Sequence, residues 1–551
     1  MTDRTGRDVL LEVLATEGVR HIFGNPGTTE LPLLDALAGA PGFEYLLALH
    51  ESVAVGMADG YAQVTRRPAF VNLHTAPGLG NAIGTLTNAQ ATRTPLVITA
   101  GQQDRRHLLS EPFLSGDLVA LAAPVTKWAR EVHAVRDLGT TMRRAFHDAA
   151  SVPSGPVFVG LPMDLFDEPA PEAAPGPTPI DRRTVPCAID ELASLLGEAP
   201  AGRFAIVAGD EVARSQAVDA LVEVAEAAGS PVFGPPLHSN LVFPTAHPLW
   251  GGSLPAEATA MRKVMEPFDL VLLIGGRGFM TFPYEPGPVV PEGLTLLHLS
   301  PDPADLGRTY PARLAVVGDP RATLEALLPR LRRGADAGAA DERLAAARSE
   351  ASAREERIDR RLRSDYSTVP STAEVAAHAV VRSLPPETIV VEECPTADPH
   401  VRAFHRVTRP DRFFYSRGGG LGWGMAAALG VSLGLGREPV VCIVGDGSAM
   451  YAPQALWSAA RLNLPVVFVL FNNRQYQILK RFLRKMDGEA VRTGNYVGLE
   501  ISEPDVDFVA LARAHGVPGA AVEGAADIAG ALRAAMDRRG PYLLEVPLAR
   551  E

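Results

Sequence analysis

Lysine is nearly missing from this chain of 551 residues: it occurs only at Lys127, Lys263, Lys480 and Lys485, and arginine carries almost all the positive charge. With a formal net charge of −12, nucleic acid is excluded as a partner, because phosphate binding needs concentrated Lys and Arg. Cysteine is scarce too. Cys187, Cys394 and Cys442 lie far apart and offer neither a disulfide framework nor zinc-site spacing, so a reducing cytoplasm is the expected compartment. No apolar run reaches the roughly 18 residues of a membrane span. The amino terminus, Met1-Thr2-Asp3-Arg4-Thr5, precedes an amphipathic helix and lacks the apolar core of a signal peptide. No short-period repeat is present, which excludes a solenoid.

What remains is an ordinary globular composition, 46% hydrophobic and 21% charged, on a chain long enough for about three domains. The first, 1–167, repeats a strand-turn-helix rhythm: His21-Ile22-Phe23, Tyr45 to Leu49, Phe70 to Leu73, Leu96 to Ala100 and Val157-Phe158-Val159 read as its strands. A Pro and Ala rich linker follows, Glu168 to Pro179. The second, 186–335, contains the apolar runs Phe204 to Gly209 and Leu270 to Gly276. From Arg332 to Arg363 the chain is rich in Ala, Arg, Asp and Glu, as suits a solvated helical connector. The third domain is 370–551. The expected fold class is α/β, with three doubly wound domains.

The most specific signal lies in the third domain. Val440 to Val444 reads as a buried strand, ending in Gly445-Asp446-Gly447; after 24 intervening residues, Val466 to Phe471 reads as the next strand and ends in Asn472-Asn473. A carboxylate and a carboxamide at the carboxyl ends of neighbouring strands supply hard oxygen ligands of the kind Mg²⁺ needs to hold a diphosphate. The glycines bring backbone N–H groups close to an anion, and Ser448 is expected to cap a helix running on through Ala455 to Leu462, which Pro465 would end.

The paired motif closely resembles that of thiamin diphosphate enzymes. Together with Gly24-Asn25-Pro26-Gly27, Gly60-Tyr61-Ala62-Gln63, Asn72-Leu73-His74, Gly101-Gln102-Gln103 and Gly419-Gly420-Leu421-Gly422, it makes nearly the whole chain similar to the thiamin diphosphate-dependent 2-oxo acid decarboxylases, most nearly their benzoylformate decarboxylase branch. The resemblance implies a pyrimidine-binding first domain, a central domain and a diphosphate-binding third domain, with the cofactor held between two subunits; a homodimer is then the smallest active unit, and a homotetramer is usual. It implies thiamin diphosphate and Mg²⁺ as cofactors, the metal taking Asp446, Asn473 and the backbone carbonyl of Gln475.

Glu51, in His50-Glu51-Ser52 at the start of a helix, matches the acid that activates the aminopyrimidine. Gly419 matches the carbonyl that accepts from the amino group, Leu421 the bulky residue that bends the cofactor, and Thr396, Ser448, Gly445, Gly447 and Tyr476 the remaining cofactor shell. His74 matches a proton-transferring histidine, in keeping with a pKa near neutrality; a plain structural reading has it bracing the Thr75-Ala76-Pro77-Gly78 turn. Thr28 stands where a serine contacts the substrate carboxylate. The pocket would be completed by Leu114, Phe282, Ile478 and Phe482. Two departures bear on substrate: Phe282 occupies the place of a second histidine, and Ile478 that of a smaller residue.

The function so implied is nonoxidative decarboxylation of an aromatic or bulky aliphatic 2-oxo acid to an aldehyde. The alternative is a carboligase that passes the product of decarboxylation to an acceptor aldehyde or other carbonyl compound, and the missing histidine favours it. A catalytically silent regulatory paralogue is argued against by Glu51, Asp446 and Asn473 together. A dinucleotide oxidoreductase is argued against by Gly275-Gly276-Arg277-Gly278, which does not complete the glycine fingerprint, and by Asp302, which lies beyond the expected distance.

Overall fold

The computed structural model describes residues 4–170, 176–200, 202–334 and 337–550; of the expected linker, residues 171–175 lie outside these. Among the described residues, eighteen strands form three six-stranded sheets. β1 (His21–Gly24), β2 (Glu44–Leu47), β3 (Ala69–Leu73), β4 (Leu96–Gln102), β5 (Ala129–Glu131) and β6 (Val157–Pro162) make the first, in the order β2-β1-β3-β4-β6-β5. β7 (Phe204–Ala208), β8 (Val232–Gly234), β9 (Trp250–Ser253), β10 (Leu270–Ile274), β11 (Thr295–Ser300) and β12 (Leu314–Val317) make the second, in the order β12-β11-β10-β7-β8-β9. β13 (Ile389–Glu393), β14 (Phe413–Tyr415), β15 (Val440–Gly445), β16 (Val466–Asn472), β17 (Gly519–Ala521) and β18 (Tyr542–Pro547) make the third, in the order β14-β13-β15-β16-β18-β17. This is the doubly wound α/β architecture expected from the sequence. Contacts divide the chain into two compact units, one of Met1–Pro179, Val390–Thr396 and Ser416–Glu551, the other of Ile180–Ile389 and Ala397–Tyr415.

The strands read as buried are buried: every residue of β3, β4, β15 and β16 is buried, as helices on both faces of a parallel sheet require. Strand order reverses between β1 and β3 in the first sheet and between β13 and β15 in the third. Ligands bind outside the carboxyl ends of the strands at such reversals. Those ends carry Gly24 and His74 in one sheet, and Thr396 and Gly445-Asp446 in the other.

Two helices of the first unit, Glu51–Thr65 and Trp423–Gly434, cross at very close range. A Cβ added to Gly60 would stand 2.2 Å from the Ala427 carbonyl oxygen, and one added to Gly430 only 1.8 Å from that of Met57. The crossing thus rests on backbone-to-backbone contact that only glycine permits. It is pinned by the Trp423 indole N–H, which donates to Asp59 Oδ2 at 2.7 Å with both residues fully buried.

Local readings shift in four places. Ser448 caps nothing: Gly445 is the N-cap of a short helix, Asp446–Ala449, and a separate helix spans Ala455–Leu462, with Pro453 between them. That second helix ends on Asn463 in the left-handed conformation, ahead of Pro465. The Thr75 to Gly78 segment is the first turn of a helix, Thr75–Ala91, with His74 as its N-cap. The strand read over Tyr45 to Leu49 is Glu44–Leu47, because His50 turns the chain as N-cap of the Glu51 helix and its Nδ1 accepts from Ser52 N–H. The expected helical connector is present as Ala337–Arg363.

Candidate active site

The first half of the site is organised by a residue that no sequence motif marks. Glu30 is buried, and both its oxygens are fully used: Oε1 accepts from Gly101 N–H (2.9 Å) and the Thr29 hydroxyl (2.8 Å), Oε2 from Gly27 N–H (2.9 Å) and His74 Nδ1 (2.8 Å). A carboxylate only accepts, so Nδ1 carries the proton and Nε2 is left as the basic nitrogen. The hydrogen bond that His74 donates to Glu30 raises the pKa of His74 above its ordinary value, against the opposing effect of burial. Gly27 is required here, since a Cβ would stand 2.2 Å from the His74 ring. Thr75, next in line, is a buried β-branched residue held at φ 51° with its hydroxyl unpartnered, a strained backbone of the kind stored at functional sites.

Glu51 is 8% exposed in the first turn of its helix. Its Oε2 accepts from the Asn81 carboxamide at 3.0 Å, and Gly78 leaves room for Oε1, which a Cβ there would meet at 2.9 Å. Its charge is felt at His74. Thr28 is exposed at the start of a 3-10 turn, while its neighbour Thr29 is the buried hydroxyl that meets Glu30 and His74.

The second half lies on the third sheet, in the same compact unit. Asp446 and the Asn472-Asn473 turn are joined directly: Arg474 N–H donates to Asp446 Oδ2 at 2.6 Å, Gly447 N–H to Oδ1 at 2.8 Å, and Gln475 N–H to Asn473 Oδ1 at 3.1 Å. Burial pushes the Asp446 carboxyl up to about 6, although the surrounding backbone N–H groups favour its charge. A buried carboxylate beside a carboxamide offers hard oxygen donors, which fits a divalent cation. Among the described residues no cluster of three His, Cys, Asp or Glu could hold a metal, so a cation here would rely on carboxamide and carbonyl oxygens. Tyr476 packs over Gly447, whose added Cβ would meet its ring at 2.7 Å.

Gly419 (φ 73°) has nothing within 4 Å of an added Cβ, an open cradle beside Leu421. The turn that carries them is clamped from both sides. Asn88 bridges to it twice, from Nδ2 to the Gly420 carbonyl (2.8 Å) and from Gly420 N–H to Oδ1 (2.9 Å). The buried Glu393 accepts from Gly422 N–H (2.6 Å) and Gly424 N–H; burial pushes its pKa up to about 8 against these bonds. Thr396 and Ser448 are both buried, and the Thr396 carbonyl accepts from Arg481 at 3.4 Å.

Of the pocket residues, Ile478 and Phe482 are one turn apart on the helix Gln477–Met486, both half-buried. Leu114 (φ 67°) sits in the loop after β4, whose Leu109 and Phe113 are almost wholly exposed. Phe282 belongs to the other compact unit, where it is 61% exposed and its N–H donates to the Ala256 carbonyl. Glu30, Asn81, Asn88 and Glu393 belong to none of the sequence motifs. Only Glu30 left a trace, as the acid three residues after Gly27 in a helix-start pattern.

Comparison with known proteins identifies the family. Three domain models match in order: the thiamine pyrophosphate enzyme N-terminal TPP binding domain over residues 4–121, the central domain over 189–327 and the C-terminal TPP binding domain over 399–546. The chain is 34% identical to benzoylformate decarboxylase of Pseudomonas aeruginosa, across 99% of each protein. It is 28% identical to the acetolactate synthase isozyme 3 large subunit of Escherichia coli, across 94% of the chain and 89% of that protein. Among solved structures it resembles benzoylformate decarboxylase from Polynucleobacter necessarius (TM-score 0.88, 31% identity, 100% of this chain and 99% of that one) and the thiamine diphosphate-dependent 4-hydroxybenzoylformate decarboxylase of Rhodococcus jostii RHA1 (TM-score 0.87, 32% identity, 100% of both). With all three domains matched and full-length relatives above 30% identity, the chain belongs to the thiamine pyrophosphate enzyme family.

Proposed function

We propose that this enzyme is a Mg²⁺-dependent, nonoxidative decarboxylase of a 2-oxo acid, aromatic such as benzoylformate or bulky aliphatic, releasing an aldehyde. The observation that carries the reading is the direct bond between the two turns, Arg474 N–H to Asp446 Oδ2, which sets a buried carboxylate beside Asn473. Asp446, Asn473 and the Gln475 carbonyl would hold the metal and, through it, the diphosphate. Gly445, Gly447, Ser448, Thr396 and Tyr476 would line the diphosphate, and Gly419 and Leu421 the rings. When bound, thiamin diphosphate supplies the nucleophilic carbon and the electron sink that break the bond between the carboxylate and the carbonyl carbon of the substrate.

The chain's own groups do the rest. Glu51, oriented by Asn81, would hydrogen-bond the pyrimidine and set its protonation. Thr28 would meet the substrate carboxylate, and His74 would deliver the proton that completes the aldehyde. The Glu30 bond supports that last role, because it keeps His74 in one tautomer and raises its pKa toward the working range. Ile478 and Phe482 would form the wall against the substrate side chain, with Leu114 beside them.

A second reading, carboligation to an acceptor aldehyde, is favoured by one observation: no histidine occurs in the segment Arg277 to Gly287, so fewer groups compete to protonate the product. The oxidoreductase reading loses ground in the central domain. There the glycine turn after β10 is filled by carboxylates, with Glu211 Oε2 only 2.0 Å from a Cβ placed on Gly275 and Asp305 2.4 Å from one on Gly276. Such a turn repels a pyrophosphate. We further propose a homodimer as the smallest active unit, paired into a homotetramer, in the cytoplasm. The test is a panel of 2-oxo acids with thiamin diphosphate and Mg²⁺, with and without an added aldehyde, following CO₂ and carbonyl products. Free aldehyde as the main product supports the decarboxylase; ligation product in excess overturns it in favour of the second reading.

A further inference from the structure

One of the four lysines in this arginine-rich chain is buried beside the metal loop. Lys480 is 5% exposed, and its ammonium donates to the Gln475 carboxamide oxygen at 2.6 Å and to the Glu500 carboxylate, with the Tyr496 ring centroid 5.0 Å away. A desolvated ammonium is tolerated only when its donors and charge are satisfied. Here one partner comes from the metal loop and the others from a segment twenty residues on.

That segment is stitched to the loop by backbone as well. Tyr476 N–H donates to the Leu499 carbonyl and Ile501 N–H to the Arg474 carbonyl, both at 2.8 Å, around an antiparallel bridge between Gln475 and Glu500. Arg474 pairs with Asp505 at 3.1 Å. Ile501 then reaches the glycine turn itself: its Cδ1 would be 3.3 Å from a Cβ on Gly447. Residues 496–501 therefore lie against both turns of the site, and the Lys480 side chain bonds the loop and the segment together.

We propose that Lys480 and Glu500 form a latch that keeps residues 496–501 closed over the metal loop and so slows loss of the magnesium-diphosphate cofactor. Lys480 acts through Gln475 and is a positioning residue. The inference rests on Asp446, Asn473 and Gln475 being the metal site. The ammonium can meet the carboxamide, the carboxylate and the ring together because its three donors radiate from one compact head.

The test is equilibrium dialysis of thiamin diphosphate with saturating Mg²⁺ against the full-length wild type, Lys480→Met, Glu500→Ala and the double variant, with amide hydrogen exchange of the cofactor-free proteins. Glu500 is half exposed, so its variant reports even if Lys480→Met folds poorly. Each single change should weaken cofactor binding about tenfold or more and speed exchange at Tyr476 and Ile501. The double variant should be no weaker than the weaker single one, since both break one latch. Turnover at saturating cofactor should stay within about threefold. Unchanged affinity in Lys480→Met and Glu500→Ala, strictly additive losses, or loss of turnover at saturating cofactor with unchanged affinity would each overturn the latch. If the wild type itself fails to bind thiamin diphosphate, the metal-site reading fails with it, a result distinct from the others.

Discussion

Glu30→Gln is the substitution whose consequences can be worked out most fully. Each oxygen of the carboxylate accepts two donors, Gly101 N–H and the Thr29 hydroxyl on one side, Gly27 N–H and His74 Nδ1 on the other. A carboxamide has one oxygen and one NH₂, so in either orientation two buried donors face a donor. At about 1–3 kcal/mol for each unsatisfied group, partly relieved by rotation of the Thr29 hydroxyl or a tautomer change at His74, the variant should lose about 2–4 kcal/mol of stability. The loss depends on pH. The folded pKa of His74 is raised above 6.5 by Glu30, so the charge pair contributes fully below 6.5 and its contribution is lost as pH rises through the folded value. Urea unfolding followed by circular dichroism should therefore show a larger gap between wild type and variant at pH 6 than at pH 9. Because the chain has several domains, midpoints are compared transition by transition. In turnover, kcat/KM should fall about 10- to 100-fold and the limb of its pH profile governed by His74 should move to lower pH. A variant within about 0.5 kcal/mol of wild type at pH 6, with an unmoved pH profile, would refute the reasoning.

Other expectations follow from the same geometry. Trp423→Phe removes the indole donor to Asp59 and should cost about 2–3 kcal/mol in urea unfolding; since burial raises the Asp59 pKa, the ionised form is the one that needs the donor, and the cost should shrink as pH is lowered. Gly430→Ala places a methyl where the Met57 carbonyl stands and should lower the unfolding temperature by the equivalent of about 1–3 kcal/mol, an effect absent in Gly488→Ala, which has nothing within 4 Å. Ile478→Ala should raise kcat/KM for branched aryl 2-oxo acids relative to unbranched aliphatic ones in a competition assay, and an unchanged ratio would remove Ile478 from the substrate wall.

How much of this was readable beforehand differs between backbone and side chains. β15 and β16 were plain, because unbroken runs such as Val440 to Val444 must be buried on both faces, and their ends delivered Asp446 and Asn473. Glu51 and His74 were legible only through resemblance. Nothing in a string shows that Glu30 reaches His74 across 44 positions, or that Asn88 meets Gly420 across 332. Ser448 looks like a cap in the string, yet it sits inside the short helix that Asp446 begins. The small residues of Val53 to Gly60 and Trp423 to Gly434 look like an ordinary apolar helix pair; that they allow backbone contact emerges only when the two lie together.

The central claim is that Glu51 of one subunit and the Asp446 to Asn473 site of its partner serve one thiamin diphosphate. Its most direct test is turnover of a 2-oxo acid by Glu51→Gln, scored as CO₂ release with cofactor binding measured alongside. The account predicts that the variant still binds thiamin diphosphate with Mg²⁺ while CO₂ release falls about 100-fold or more. Turnover equal to wild type would contradict it.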